Sequence, residues 1–322
     1  MVSLAQGPAP PGAEVVAQPQ TVSVIVCAFD DGRQALLEES LSAVLGQSRP
    51  PEELVLVVDH NEGLERRMRE AHPDATVVAN DGPQGLSQAR NTGVRNSSGD
   101  VLVFLDDDAC PEHDWLAELV TRYDDPDVIG AGGLVLPRWE TERPAWHPEE
   151  FDWVVGCSYR GLPESVAPVR NPIGANMSFR RSVLERTGDF VEGIGRVGKR
   201  PLGCEETELS IRARAAHRDS VILHVPSARV RHAVPGPRAE WGYFVSRCFA
   251  EGISKAKVAR RRGSDTALAS ERTYVTRTLP RGVALGLRQA LRGELGGLGR
   301  AGAIVIGLGL TVAGYVRGRL LP

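Results

Sequence analysis

The sequence predicts an α/β protein built on a mostly parallel, doubly wound sheet, and three observations carry that prediction. The runs TVSVIVCA (21–28), LVLVV (54–58) and VLVFL (101–105) lack the alternation of a half-solvated strand, so they read as strands covered on both faces. Segments of helical spacing separate them, in the strand–helix–strand order of parallel sheets. Each run also ends in a polar patch: Ala28-Phe29-Asp30, Asp59-His60-Asn61 and Asp106-Asp107-Asp108. In an open sheet such ends gather on one edge, which is where ligands bind.

The elements follow in order. After the first strand, Phe29-Asp30-Asp31-Gly32 breaks the chain, and 34–46 carries Leu37, Leu41, Val44 and Leu45 at helical spacing. Pro50-Pro51 closes that helix before the second strand. A charged helix over 62–71 and a short strand over 75–79 come next, then a turn at 82–85 and a helix over 86–94 that bears Arg90. The central strand at 101–105 is followed by an amphipathic helix over 115–123 and a strand over 128–136 whose glycines allow close backbone approach. Residues 137–170 hold five prolines and three tryptophans (Trp139, Trp146, Trp153) with little periodicity. A stretch of that length inside a domain is expected as a substrate-facing loop, although each tryptophan taken singly has packing as its simpler role. Residues 171–181 read as a turn, a short strand and a helix start. Glu205 and Glu206 then open a helix, a last strand covers 220–225, and a basic, aromatic helix covers 238–257. Arg260-Arg261-Arg262 reads either as a solvated face or as a contact for an anionic partner. The Gly-rich apolar stretch 302–316, flanked by arginines, is short for a bilayer span; it is either a membrane-surface helix or a buried one.

Bulk properties narrow the function. A net charge of -3 argues against a nucleic-acid partner. Five scattered cysteines, odd in number and without a CxxC pair, fit a reducing compartment and no zinc site. Residues 1–20 lack the basic and apolar regions of a signal peptide and read as a disordered leader. The domain proper is expected over 21–256, divided near 136 into a nucleotide-binding half and an acceptor-side half, with a basic and apolar extension over 257–322.

The acidic triplet carries the chemistry. Three carboxylates at the end of a buried strand cannot be desolvated unpaired, so they must open onto a cleft. Oxygen donors on alternate residues suit a hard divalent cation, Mn²⁺ or Mg²⁺, that also takes substrate phosphates. A solvated turn that caps the next helix is the simpler alternative. No GxGxxG and no GxxxxGK[ST] is present, so phosphates fall to a cation and to basic side chains. Asp59 stands where an acid hydrogen-bonds a ribose or base. Glu205 and Glu206 are either ordinary first-turn acids or a general base aimed into the cleft.

Taken together, VSVIVCAFD, ELVLVVDHN, GLSQARNTGV, GDVLVFLDDDA, GANMSFRR and GCEETELSIRA, in that order, resemble the family 2 glycosyltransferases, which have the GT-A fold. The resemblance runs from about residue 21 to 232, and loosely to 256. It implies that Ala28 and Phe29 cradle the base, that Asp59 contacts base or ribose, and that Arg90 approaches the diphosphate. It further implies that Asp106 and Asp107 face the nucleotide, that Asp106 and Asp108 hold the metal with His232 nearby, and that Asn176 contacts substrate. Glu205 and Glu206 match the family's Glu-Asp motif, whose second acid is the usual base; here that acid is a glutamate with a longer reach.

The implied activity is inverting transfer from a nucleotide-diphosphate sugar to a hydroxyl acceptor in polysaccharide or glycolipid synthesis, in the cytoplasm or on the inner face of the cell membrane. A lipid-linked acceptor is one candidate, and the C-terminal extension is the expected membrane contact. Two other readings compete: a non-catalytic nucleotide-sugar-binding scaffold and a sugar nucleotidyltransferase. The second would want a Gly- and basic-rich loop after the first strand, where only Gly32 and Arg33 stand.

Overall fold

The computed structural model describes residues 20–196, 202–263 and 269–320. All of the leader expected over 1–20 except Gln20 lies outside the described residues. The described chain builds a nine-stranded sheet: β1 (Val22–Ala28), β2 (Glu53–Val58), β3 (Thr76–Ala79), β4 (Val101–Asp106), β5 (Ala109–Pro111), β6 (Val128–Trp139), β7 (Ala167–Val169), β8 (Asn176–Arg180) and β9 (Val221–Val234). The spatial order is β3-β2-β1-β4-β8-β6-β9-β5, with β7 also on β9.

The first half is the expected doubly wound unit. Strands β3, β2, β1 and β4 are parallel, joined by α1 (Gln34–Leu45), α2 (Glu62–Ala71) and α3 (Leu86–Arg95). The apolar runs of β1, β2 and β4 are buried on both faces because helices cover both. Gly93 lets α3 lie almost on the sheet: a Cβ there would collide with Ile25. Asn61 caps α2, its side chain accepting from the Leu64 amide at 3.0 Å.

The second half departs from strictly parallel order. β8 runs antiparallel between β4 and β6, and β5 and β7 run antiparallel on β9. Between them lie α4 (Trp115–Val120) and α5 (Arg181–Thr187), and α6 (Glu205–Ala216) precedes β9. The last strand, expected to stop near 225, continues to Val234. Pro226, Ser227 and Ala228 interrupt the apolar pattern, but they form a bulge at which the register against β6 jumps from Gly133–Val225 to Leu134–Arg229. Beyond the bulge β9 carries His232 to the position opposite Ala109 of β5.

The segment 137–170 is more ordered than a loop. It contains the end of β6, a 3₁₀ segment (Glu149–Val155) and β7. Trp146 packs edge-on against Trp241 and Phe244, and Trp139 against His147, so these two tryptophans serve the core. Trp153 lines a cavity.

The C-terminal part is helical: α7 (Trp241–Arg262), α8 (Ala269–Thr273), a π-helical turn (Tyr274–Thr278), α9 (Leu279–Leu291) and α10 (Gly296–Leu320). The boundary expected at 256 falls inside α7, which packs along α10. At 25 residues, α10 is longer than the apolar stretch suggested, and by length and composition it could cross a bilayer. Its glycines, which weaken a helix reading in sequence, are needed for contact. A Cβ on Gly314 would strike the Phe249 carbonyl, and one on Gly297 the Gly286 carbonyl. The opposite face leaves Val305, Ile306, Val312, Val316 and Leu320 exposed. Arg260 of the basic cluster donates to the Gly318 carbonyl and thus helps dock α10.

Gly133 faces the β9 bulge so closely that a Cβ would collide with the Ala228 carbonyl and the Asn176 amide. Gly133→Ala is therefore expected to cost about 3 kcal/mol or to prevent folding, because backbone must move. Gly309→Ala on α10, with nothing within 4 Å, is expected to be neutral or slightly stabilising. Urea denaturation of both variants checks the contrast.

Candidate active site

The ends of β4, β5 and β9 and the first turn of α6 meet around a cavity of about 670 Å³. Its wall includes Asp106, Asp108, His232, Glu205, Glu206 and Arg90. At one side Asp106, Asp108 and His232 bring one donor atom each within 4.8 Å of one another. His232 Nε2 lies 3.1 Å from Asp108 Oδ1, and Arg33 Nη1 lies 3.0 Å from Asp108 Oδ2 and 3.1 Å from Asp107 Oδ1. Burial works against charge on His232, but Asp108 outweighs it and holds the imidazolium up to about 10. Burial likewise opposes ionisation of Asp108, yet His232 and then Arg33 keep its carboxyl well below the usual range. Asp107 goes the other way: burial and then the charge of Asp108 push it up to about 7.

These residues fit a hard divalent cation. Two carboxylates and an imidazole form a donor set that Mn²⁺ accepts. The Asp107 Oδ2 atom is buried without a hydrogen-bond partner among the described residues. In the present arrangement His232 and Arg33 supply the positive charge that such an ion would bring.

Arg90 organises the opposite wall. It is 2 % exposed, with Nη1 2.8 Å from Glu205 Oε1 and Nη2 3.2 Å from Asp106 Oδ1 and 3.0 Å from the Gly174 carbonyl. Arg90, expected to approach the diphosphate, lines the cavity with its guanidinium on these protein acceptors. Glu205 is held through Oε1, while its Oε2 is buried without a hydrogen-bond partner among the described residues; Glu206 is half-buried, and its Oε1 accepts from Thr207 at 2.9 Å. Burial, then the neighbouring Glu205, push Glu206 up to about 7.

The other expected contacts separate from this cavity. Asp59 accepts from Asn80 Nδ2 at 2.6 Å and from the Gly85 amide at 2.9 Å, which orders the turn before α3. Ala28 is buried and Phe29 is 37 % exposed at the end of β1. All three stand on the same sheet edge but do not line the cavity. Asn176, expected to contact substrate, has protein partners in this structure. It is fully buried; its Oδ1 accepts from Trp115 Nε1 at 2.8 Å, and its Nδ2 donates to the Ala228 carbonyl at 3.0 Å. Its amide holds the β9 bulge, and no free polar atom faces the cavity. The sequence reading also missed Arg196, Arg238 and Arg247, which line the cavity. Nothing local distinguished them from other surface-pattern arginines.

Removing the Arg90 guanidinium leaves two acids without a counter-charge. Arg90→Met is expected to destabilise the fold by about 3–5 kcal/mol. Adding Glu205→Gln to that variant should recover part of the loss, a non-additivity that a double-mutant cycle in urea measures.

Comparison with known proteins agrees with this geometry. Residues 23–188 match the family described as glycosyl transferase family 2. The chain is 38 % identical over 238 residues to the glucosyl-dolichyl phosphate glucuronosyltransferase of Haloferax volcanii, covering 73 % of this chain and 76 % of that protein. It is 29 % identical over 175 residues to glycosyltransferase AglE of the same organism, covering 52 % of this chain and 55 % of the relative. Among solved structures, the mannosyltransferase PcManGT of Pyrobaculum calidifontis, in complex with GDP-Man and Mn²⁺, superposes with a TM-score of 0.57 at 21 % identity, over 92 % of this chain and 88 % of that one. The fold is GT-A, and the chain belongs to the family 2 glycosyltransferases.

Proposed function

We propose that this glycosyltransferase uses a divalent cation and a nucleoside-diphosphate sugar, and that it transfers the sugar with inversion to a hydroxyl of a lipid-linked acceptor. One observation carries the reading: a single cavity joins a three-donor cation site to one glutamate that is free to take a proton. Six acids line the cavity, Asp106, Asp108, Glu205, Glu206, Glu251 and Glu271. Two belong to the donor set; Glu205 is held by Arg90, and Glu251 and Glu271 are both held by Lys255. Glu206 remains. Its burial suits a general base, because a carboxylate with a raised pKa is a stronger proton acceptor near neutral pH.

A cation held by Asp106, Asp108 and His232 would act as a Lewis acid for the departing diphosphate. Arg33 favours the ionised form of Asp108 and contacts Asp107, where it only partly offsets burial and the charge of Asp108. Arg90 fixes the spacing between Asp106 and the first turn of α6. Glu206 accepts the acceptor hydroxyl's proton as the oxygen attacks the anomeric carbon, and one displacement without a covalent intermediate inverts configuration. Phe29 and Asp59 are the residues proposed for the donor's nucleoside.

The acceptor is proposed as lipid-linked because the cavity reaches α10, whose outer face is apolar. The similarity to a protein named for a dolichyl phosphate substrate points the same way. The apolar face of α9 and α10, with Leu287, Leu291, Leu295 and Val305 exposed, supports a peripheral seat on the inner face of the cell membrane. No feature favours the scaffold reading, which needs no base, or the nucleotidyltransferase reading.

The test is nucleotide release from a panel of nucleoside-diphosphate sugars, with and without Mn²⁺, in the presence of a lipid-linked glycoside. Asp108→Asn should abolish the metal-stimulated turnover while the chain stays folded by circular dichroism; full activity would remove the cation's role. Glu206→Gln should lower kcat by about 10²–10⁴ with donor affinity unchanged. In the wild type the base works only when ionised, so kcat/KM should rise with pH through about 7. At pH 6 it should sit about tenfold below its plateau. A flat profile between pH 6 and 8 would assign the proton to another group.

A further inference from the structure

The cavity holds more positive charge than its acids neutralise. Arg90 and Lys255 each meet carboxylates at close range, Arg170 meets Glu271, and Arg247 meets Glu251 at 2.9 Å. Arg238 has only a 3.8 Å contact with Asp108. Arg196, which follows the left-handed Gly195, has no ion-pair partner among the described residues. Burial, then the charge of Arg238, lower its pKa, with Arg247 acting in the same direction. A half-buried guanidinium near two others, without a counter-ion, is an unbalanced charge that an anion would relieve.

The same cavity also has apolar lining. Leu162, Leu279, Leu308 and Val312 line it. Val275 and Val312 line the cavity and are both exposed to solvent, and Val312 belongs to the exposed apolar row of α10. The expected nucleoside contacts Phe29 and Asp59 lie outside this cavity. A lining that combines guanidinium groups with apolar side chains suits a ligand with a phosphoryl head and a hydrocarbon tail. A nucleoside diphosphate offers no tail for the apolar side chains.

Building on the function proposed above, we infer that Arg196, Arg238 and Arg247 hold the phosphoryl group of a lipid-phosphate-linked acceptor, whose hydrocarbon leaves the cavity between Val275 and Val312. The arginines bind the phosphoryl oxygens through charge-assisted hydrogen bonds. The glycosyl group attached to that phosphate then lies on the Glu206 side of the cavity.

Arg196 tests this directly, because replacing it severs no ion pair among the described residues. Calorimetric titration of the full chain would compare dodecyl phosphate, dodecanol, and a nucleoside diphosphate with Mn²⁺. Dodecyl phosphate should bind more tightly than dodecanol. Arg196→Gln should weaken dodecyl phosphate about tenfold, Arg196→Lys should restore part of that affinity, and nucleoside diphosphate binding should change less than twofold. If the variant weakens the nucleoside diphosphate and spares dodecyl phosphate, the arginines belong to the donor and the inference falls. Equal binding of dodecanol and dodecyl phosphate, or no effect of Arg196→Gln on either, also overturns it. If no donor in the panel supports transfer, the transferase mechanism fails, while these binding comparisons still decide the subsite.

Discussion

A single buried cation sets the geometry on which the site depends. Arg90 projects from α3 and meets Asp106 at the end of β4, Glu205 in the first turn of α6 and the Gly174 carbonyl before β8. A guanidinium removed from water must satisfy its donors within the protein or destabilise the fold. That requirement locks three chain segments, far apart in sequence, into one arrangement. It also sorts the two adjacent glutamates, giving Glu205 to structure and leaving Glu206 open to the cavity. Their different environments follow from where one arginine points, since their chemistry is the same.

The parts of the fold readable in sequence were those in which local pattern and tertiary environment agree. Strands β1, β2 and β4 are apolar throughout because both faces are covered, and of the carboxylates that follow β4's apolar run Asp106 and Asp108 line the cavity while Asp107 is buried against Arg33. The second half was less readable. β9 passes through Pro226 and a bulge, so its pattern stops at Val225 although the strand continues. The antiparallel insertion of β8 leaves no local mark, since five residues of either direction look alike. Asn176 sits in a motif that resembles substrate-binding sequence, yet a polar side chain can equally hold a bulge inside a sheet. The hydrogen bond to the Ala228 carbonyl is visible only in three dimensions. The unpaired Arg196 was invisible for a related reason: lack of a partner is a property of three dimensions.

The C-terminal helices show how composition can mislead. Glycines that weaken an isolated helix instead permit backbone-to-backbone contact between α7 and α10 and between α9 and α10. Packing on one side is thereby close, while the valines, isoleucine and leucine on the other side remain outside. One helix thus meets both descriptions that the sequence left open, a core element and an apolar surface. Leu308 and the exposed Val312 also bring that surface to the cavity wall.

The pairing of β5 with β9 has a consequence in time. Asp108 and His232 are separated by 124 positions along the chain, and they meet only after β6 and β8 have been laid down between them in the sheet. Contacts of such long sequence separation form late, because their loop-closure entropy is compensated only when the intervening strands are in place. A nascent chain can complete its parallel half and still lack the third donor. An assembled site is therefore expected only with the docking of the final strand, and a half-synthesised chain would carry its acids without their histidine.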